Sequence, residues 1–308
     1  MTDPSPILIT GASGLVGTAL IKQLRKVQPS RAIHVLSRRP ETAAQIAGCP
    51  VRAFGWSPSE GWMDEGALEG VSHIIHLAGE PVAQRWSDAT RARIRNSRTG
   101  ALNLLKAACE NRPLAPKVVS ASAVGLYGSG PNIMTESSPI GEGFLADVVR
   151  EWESAAEKLG QLGGGHVVFR IGLVLSENGG VLERLLPIYR LGLGAPLASG
   201  SQFQSWIHIG DLVSLFIHAV DQPQWNGAYN AVAPVAVAQR EFSRTLAETI
   251  KRPHFFPNVP AFALRLWFGE AAEALLASHN VQPVRLQEAG FAFQFPTLDG
   301  ALQNAISG

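Results

Sequence analysis

Cysteine is scarce: Cys49 and Cys109 are the only two in 308 residues, far apart and without metal-ligand spacing. That excludes a disulfide framework and leaves each as a small buried hydrophobe in a reducing compartment. Long apolar runs are missing too, and none reaches the roughly 20 residues of a membrane-spanning helix. The start, "MTDPSPILIT", has an acid and two prolines where a secretory leader needs basic residues and a long apolar core. Cytoplasm is therefore the expected location. An excess of one charge is also lacking. A net charge of +1 gives no electrostatic reason to expect a nucleic-acid partner or a membrane surface. No internal repeat or low-complexity tract is found. The remaining composition, 46% hydrophobic and 17% charged, is ordinary for a soluble globular chain of one large domain or two modest ones.

Short apolar runs alternate with longer helical patterns through the first half. "PILIT", "RAIHVLS", "VRAFGW", "VSHIIHLAG", "PKVVSASA" and "HVVFRIGLVL" read as strands. "LVGTALIKQLRKV", "SDATRARIRNSRTGALNLLKAACEN" and "LADVVREWESAAEKLGQL" read as helices. The alternation predicts an α/β fold: a doubly wound parallel sheet with helices on both faces. After about residue 175 glycine and proline become frequent and the elements shorten. This predicts a smaller C-terminal region laid over the carboxyl ends of the strands. Residues 1–175 would form the main sheet domain, rejoined by about 204–232. Residues 176–203 and 233–308 would form the smaller region. "FFPNVPAFALRLWFGEAAEALL" is apolar enough for core, the ordinary use of such residues, or for a homodimer surface.

"ILITGASGLVG" sets Gly11, Gly14 and Gly17 directly after the first strand, at the opening of a helix. Early glycines make the turn tight and let backbone N–H groups approach a pyrophosphate; the last lets helix and strand pack closely. The expected phosphate cradle is Gly11, Ala12, Ser13, Gly14, Leu15, Val16 and Gly17. An NAD enzyme usually ends its second strand with an acid for the ribose hydroxyl. Here that end reads Ser37-Arg38-Arg39. Guanidinium groups suit a 2′-phosphate, so NADP is the expected cofactor. A solvated basic turn is the plainer alternative. Leu77, Ala78 and Gly79 close the fourth strand with backbone that can lie along the cofactor, and Ser120 joins the same set. His76 lies inside an apolar strand and reads as a core residue rather than a base.

In this order "TGASGLVG", "HLAG", "SASAVGLYG", "FRIGLVL" and "WIHIGDLV" resemble the short-chain dehydrogenase/reductase superfamily, in its extended, epimerase-like branch. "HLAGEPVAQRW", "RNSRTGALNL", "EWESAAE" and "PVRLQEAGFAFQFPTLDGAL" are similar to an epimerase-family subgroup with its own short C-terminal domain. The likeness runs from about residue 7 to 305. It implies a Rossmann-type sheet, an NADP(H) cofactor and a C-terminal substrate lid.

The superfamily's chemistry implies a serine, a tyrosine and a lysine acting together. A free phenol titrates near 10 and is a poor base at neutral pH without a cationic neighbour. None of the three tyrosines heads a Y-x-x-x-K: the residues four on are Pro131, Leu193 and Ala233. Val149 and Glu153 fall near the tyrosine and lysine positions. Ser122 matches the family serine. Tyr127 matches a tyrosine that lines the site without carrying the proton.

Substitutes lie at the same strand ends. Glu80 is the first candidate acid or base, provided desolvation raises its pKa. Arg85 and Trp86 could clamp an anionic or planar substrate. Glu153 joins them as a substrate-side candidate, beside Glu151. Turn capping, core packing and solvated ion pairs are the plain alternatives. Arg170 matches a family arginine near the sixth strand's end, as a ligand contact or as an ion pair under the lid. Asp211, near His208, fits a helix N-cap, and Gln202 to Trp206 lie on the lid side. The expected activity is that of an NADP(H)-dependent oxidoreductase or epimerase-like enzyme on a small polar substrate. The alternative is a catalytically silent, NADP(H)-binding regulatory or scaffold protein.

Overall fold

The structure, a computed structural model, describes residues 5–82, 84–110, 112 and 115–307. The acid and first proline of the chain start, and Asn111 at the end of an expected helix, lie outside them.

Strand β1 (Ile7–Thr10) is buried throughout and leads through the glycine turn into α1 (Leu15–Val27). β2 (Ile33–Ser37), α2 (Pro40–Ala47), β3 (Arg52–Ser57) and β4 (Trp62–Met63) follow. β5 (His73–His76) precedes the long α3 (Asp88–Cys109), where the Ser87 side chain caps the Thr90 N–H. Then come β6 (Lys117–Ala123), β7 (Ile133–Met134), α4 (Phe144–Gly160) and β8 (His166–Ile171). The second half holds β9 (Leu173–Leu175), α5 (Gly180–Arg190), β10 (Phe203–Gln204), β11 (Trp206–His208) and α6 (Ile209–Asp221). It continues with β12 (Gly227–Ala231), β13 (Val237–Ala238), α7 (Gln239–Thr249), α8 (Ala261–Phe268) and α9 (Ala272–Leu276). It ends with β14 (Asn280–Val281), α10 (Val284–Glu288) and α11 (Leu298–Ser307).

The main sheet has eight strands in the order β12-β8-β6-β5-β1-β2-β3-β4. All neighbours are parallel except β3 and β4, which form an edge hairpin. Strand order reverses direction at β1, so right-handed crossovers send helices to both faces. α1 packs against α6, and α3 against α4. This is the doubly wound parallel sheet that the alternation predicts, of the Rossmann type that the resemblance implies. Among the described residues, no helix is long and apolar enough to cross a membrane.

Three expectations change. "HVVFRIGLVL" is two strands rather than one. The chain bends at Gly172, where a Cβ would stand 2.5 Å from the Ser205 carbonyl oxygen, and β9 leaves the main sheet to pair with β11. Asp211 is not the N-cap of α6. His208 caps it, accepting from the Gly210 N–H through Nδ1 at 3.1 Å. Asp211 instead accepts the backbone N–H groups of Gln294 (2.7 Å) and Phe295 (3.1 Å), tying the C-terminal segment to α6. The stretch from Phe255 is mostly outside the core: Leu264 and Ala272 are buried, but Phe255, Phe262 and Leu266 are exposed.

A second core lies apart from the sheet's own. Leu175, Leu182, Leu186, Trp206, Phe242 and Leu302 pack together from β9, α5, β11, α7 and α11. The C-terminal region is thus a body with its own apolar interior, joined to the sheet through the 172–176 bend and α6.

Candidate active site

The sheet's topological switch point, between β1 and β5, opens at their carboxyl ends. Gly11 has φ +69°, and a Cβ there would stand 2.7 Å from the Leu77 carbonyl carbon and 2.8 Å from the Ala78 N. A Cβ on Gly17 would stand 2.3 Å from the Gly11 carbonyl oxygen. Glycine is therefore dictated twice by close backbone approach. Gly14 is the N-cap of α1, makes no side-chain cap and has no acid in the turn that follows. The first N–H groups of α1 and its positive dipole end are left to an anion. Thr10 Oγ1 ties the two strand ends together by accepting the Leu77 and Ala78 N–H groups, each at 3.2 Å.

His76 bonds Thr10 Oγ1 through Nδ1 at 2.9 Å and is fully buried. Burial, with the Arg98 charge nearby, pushes its pKa down to about 3. It is a neutral core residue, as the sequence predicts. At the end of β2 no acid is found. Arg38 and Arg39 are exposed, and neither guanidinium has a partner among the described residues. Ser37 Oγ accepts the Arg39 N–H at 3.0 Å and shapes that turn. A phosphorylated dinucleotide fits these features: a glycine cradle, an uncapped helix and two unpaired cations one strand away.

Beyond Ser120, at the end of β6, Ser122 Oγ donates to Glu153 Oε1 at 2.6 Å. Arg170 forks onto the same carboxylate, Nε to Oε1 at 2.9 Å and Nη2 to Oε2 at 2.8 Å. Arg170 Nη1 also donates to Tyr127 Oη at 2.8 Å, and Tyr127 donates to Asn230 Oδ1 at 2.7 Å. Burial works against the Arg170 charge, but the bonds and charge of Glu153 outweigh it and push its pKa up. Burial pushes the Tyr127 phenol up as well, and its hydroxyl is bonded to Arg170 and Asn230 on both sides. Val149, near the expected tyrosine position, is buried one turn earlier on α4. Ser122, Tyr127, Glu153 and Arg170 therefore form one network. Glu153 also lines a surface cavity of about 250 Å³ with His166, Val168 and Ala228.

Glu80 belongs to a second group. Its carboxylate accepts from Gln84 at 3.2 Å and lies 3.7 Å from Arg93 Nε. Its backbone N–H donates to Ser97 Oγ at 2.9 Å. Trp86 Nε1 donates to the Val82 carbonyl at 2.9 Å, and its ring meets Phe144 edge-on at 5.1 Å. Arg85 is exposed and reaches the Leu266 carbonyl of α8, while Arg91 pairs with Glu270. The loop after β5 is thus strapped to the C-terminal region.

Arg98, which sequence reasoning passed over, is central to this second group. Its Nη2 donates to the Glu80 carbonyl at 3.0 Å, and its guanidinium sits 5.0 Å over the Trp152 ring. Burial lowers its pKa to about 10, against the opposing pull of Glu80. The available signal was the arginine's place in "RNSRTG", on the helix that follows the cofactor strand. Among the described residues no group of three or more His, Cys, Asp or Glu could hold a metal ion.

A parallel sheet with a glycine turn at its switch point defines a Rossmann-type dinucleotide-binding protein. The chain belongs to the NAD dependent epimerase/dehydratase family, which residues 7–232 match. Residues 259–305 match a domain of unknown function, DUF1731. The chain is 36% identical over 302 residues to the epimerase family protein SDR39U1 homolog, chloroplastic, of Arabidopsis thaliana, covering 96% of this chain and 85% of that one. It is 36% identical over 304 residues to the epimerase family protein Mb2239 of Mycobacterium bovis, covering 98% and 97%. It is similar to the crystal structure of human epimerase family protein SDR39U1 (isoform 2) with NADPH, with a TM-score of 0.86 and 30% identity, covering 98% and 99%.

Proposed function

We propose that this protein is an NADP(H)-dependent oxidoreductase or epimerase-like enzyme. Its small polar substrate would bind between the strand ends and the C-terminal region, residues 176–203 and 233–308. The observation that carries the cofactor choice is the end of β2, where Arg38 and Arg39 stand unpaired in place of an acid. The NADPH in the human relative supports the same choice. Residues Gly11 to Gly17 would hold the pyrophosphate through backbone N–H groups. Ser37, Arg38 and Arg39 would hold the 2′-phosphate, and Leu77, Ala78, Gly79 and Ser120 would border the cofactor. When bound, the nicotinamide supplies or accepts a hydride.

The chain's own part is to orient the substrate and move a proton. Ser122 Oγ–H is directed at Glu153, which leaves the oxygen lone pairs to accept from a substrate hydroxyl. Glu153 would receive the serine proton, held in place by the Arg170 fork. In this reading Arg170 acts through Glu153 rather than on the cofactor. Glu80 is the second acid–base candidate, with Arg85 and Trp86 on the substrate side.

Calorimetry with NADPH and NADH tests the cofactor half: NADPH should bind at least about tenfold tighter, the equivalent of ~1.4 kcal/mol. No heat from either rejects the reading. One observation favours the silent-binder alternative: the buried Val149 near the tyrosine position. It would gain if NADPH-loaded protein reduced no member of a carbonyl panel and NADP+-loaded protein oxidised no member of a sugar-nucleotide panel.

A further inference from the structure

Four arginines occupy the first half of α3: Arg91, Arg93, Arg95 and Arg98. Three of them face carboxylates. Arg91 pairs with Glu270, Arg93 Nε lies 3.7 Å from Glu80, and Arg95 Nε lies 3.1 Å from Glu151. Arg98 has no such partner among the described residues. Its donors reach only neutral acceptors: the carbonyls of Ile94 (2.9 Å) and Glu80 (3.0 Å) and Ser97 Oγ (3.4 Å). Its Nε makes no hydrogen bond to the described residues.

Burial disfavours this charge, as the lowered pKa of about 10 shows. A half-buried guanidinium whose hydrogen bonds reach only neutral acceptors, with the Glu80 charge acting on it from beyond ion-pair distance, gains from a ligand that supplies an anion. Its position says where that ligand lies. A Cβ on Gly79 would stand 3.1 Å from Arg98 Cζ, 3.2 Å from Nη2 and 3.4 Å from Nε. The Nε–Nη2 edge therefore lies against Gly79, two residues beyond the Leu77 backbone that contacts Gly11. Such an edge is the fork that matches two phosphate oxygens.

We propose that Arg98 is a phosphate-binding residue of this cleft, reading a phosphate delivered beside Gly79. The first source is the nicotinamide-side phosphate of the dinucleotide, an assignment that rests on the cofactor reading above. The second is a phosphate on the substrate. The carbonyls of Ile94 and Glu80 hold the guanidinium in place for either.

The test uses the full chain and calorimetry. Arg98→Gln should weaken NADPH at least about tenfold, yet leave 2′,5′-ADP, which lacks the nicotinamide-side phosphate, within about twofold of wild type. Unchanged NADPH binding, with inorganic phosphate binding to the NADPH-saturated wild type and lost in Arg98→Gln, supports the proposal with the substrate as source. Unchanged NADPH and unchanged phosphate binding overturn it. So do equal losses for NADPH and 2′,5′-ADP, which would mean a general loosening. Should Arg98→Gln melt below the assay temperature, Arg98→Lys carries the same comparison, since it keeps a charge but loses the fork. If wild type binds no NADPH, the cofactor reading falls, and phosphate titrated into the free protein decides Arg98 alone.

Discussion

Ser122 donates a 2.6 Å hydrogen bond to Glu153, which stands on α4 near the position where the superfamily resemblance implies a lysine. Where the resemblance implies an ammonium, this part of α4 carries a carboxylate of opposite charge. Arg170 supplies the balancing cation from the neighbouring strand β8, through a two-point fork.

That fork should dominate local stability. The Arg170 and Glu153 side chains are 10% and 15% exposed, so removing one charge strands the other. Glu153→Gln is expected to lower unfolding free energy by about 3–5 kcal/mol. Ser122→Ala, which removes one bond to a charged group, should cost about 1–3 kcal/mol. Urea denaturation measures both; a loss below 1 kcal/mol for Glu153→Gln contradicts the picture.

Arg38→Ala should weaken NADPH by about tenfold or more and leave NADH nearly unchanged, because only the former carries the 2′-phosphate. Titration of both nucleotides reads the difference. Equal losses remove the assignment.

Two glycines on helices make opposite predictions. A Cβ at Gly17 would stand 2.3 Å from the Gly11 carbonyl oxygen, so Gly17→Ala should displace α1 from the turn and cut NADPH affinity more than tenfold. A Cβ at Gly100, within α3, meets nothing within 4 Å, so Gly100→Ala should stabilise by about 0.5–1 kcal/mol. Thermal melts and nucleotide titrations of the pair check both directions.

Acid should destabilise the fold before most carboxylates titrate. Burial holds His73 down to about 4, with Arg31 and Lys117 adding to it, and holds His208 down to about 4. His76 lies at about 3. The unfolded chain protonates all three near their ordinary 6.5, while the folded chain resists. Stability is therefore fully present above pH 6.5 and falls as pH drops toward 4, by up to about 1.4 kcal/mol per pH unit for each histidine. Denaturation midpoints at pH 7, 6 and 5 should decline in step; a flat series would oppose this.

The start of α5 leans on the cofactor cradle: a Cβ at Gly179 would meet Leu15 Cδ1 at 3.1 Å. NADPH with substrate should therefore slow proteolysis near residues 178–205. An identical cleavage pattern with and without ligand would count against a lid.

Apolar runs of strand length, spaced by helical patterns, were sufficient to read the parallel sheet, because burial on both faces demands such runs. The glycine turn and the arginines after β2 were legible for a similar reason. Both are local, and each needs particular residue types at fixed spacing. The missing tyrosine–lysine pair could also be seen in sequence. What replaces it could not, since Ser122, Glu153 and Arg170 come from three elements whose register only packing sets. The break at Gly172 depends on Ser205 crossing it, 33 positions on by the numbering. Asp211 was read as a cap from its local neighbours, and its true partners lie at Gln294 and Phe295. Arg98 looked like one arginine among several until the fold paired the others and left it facing Gly79. Sequence determined what each segment could become on its own. Tertiary structure decided which charges meet, because an ion pair depends on distances that chain order does not contain.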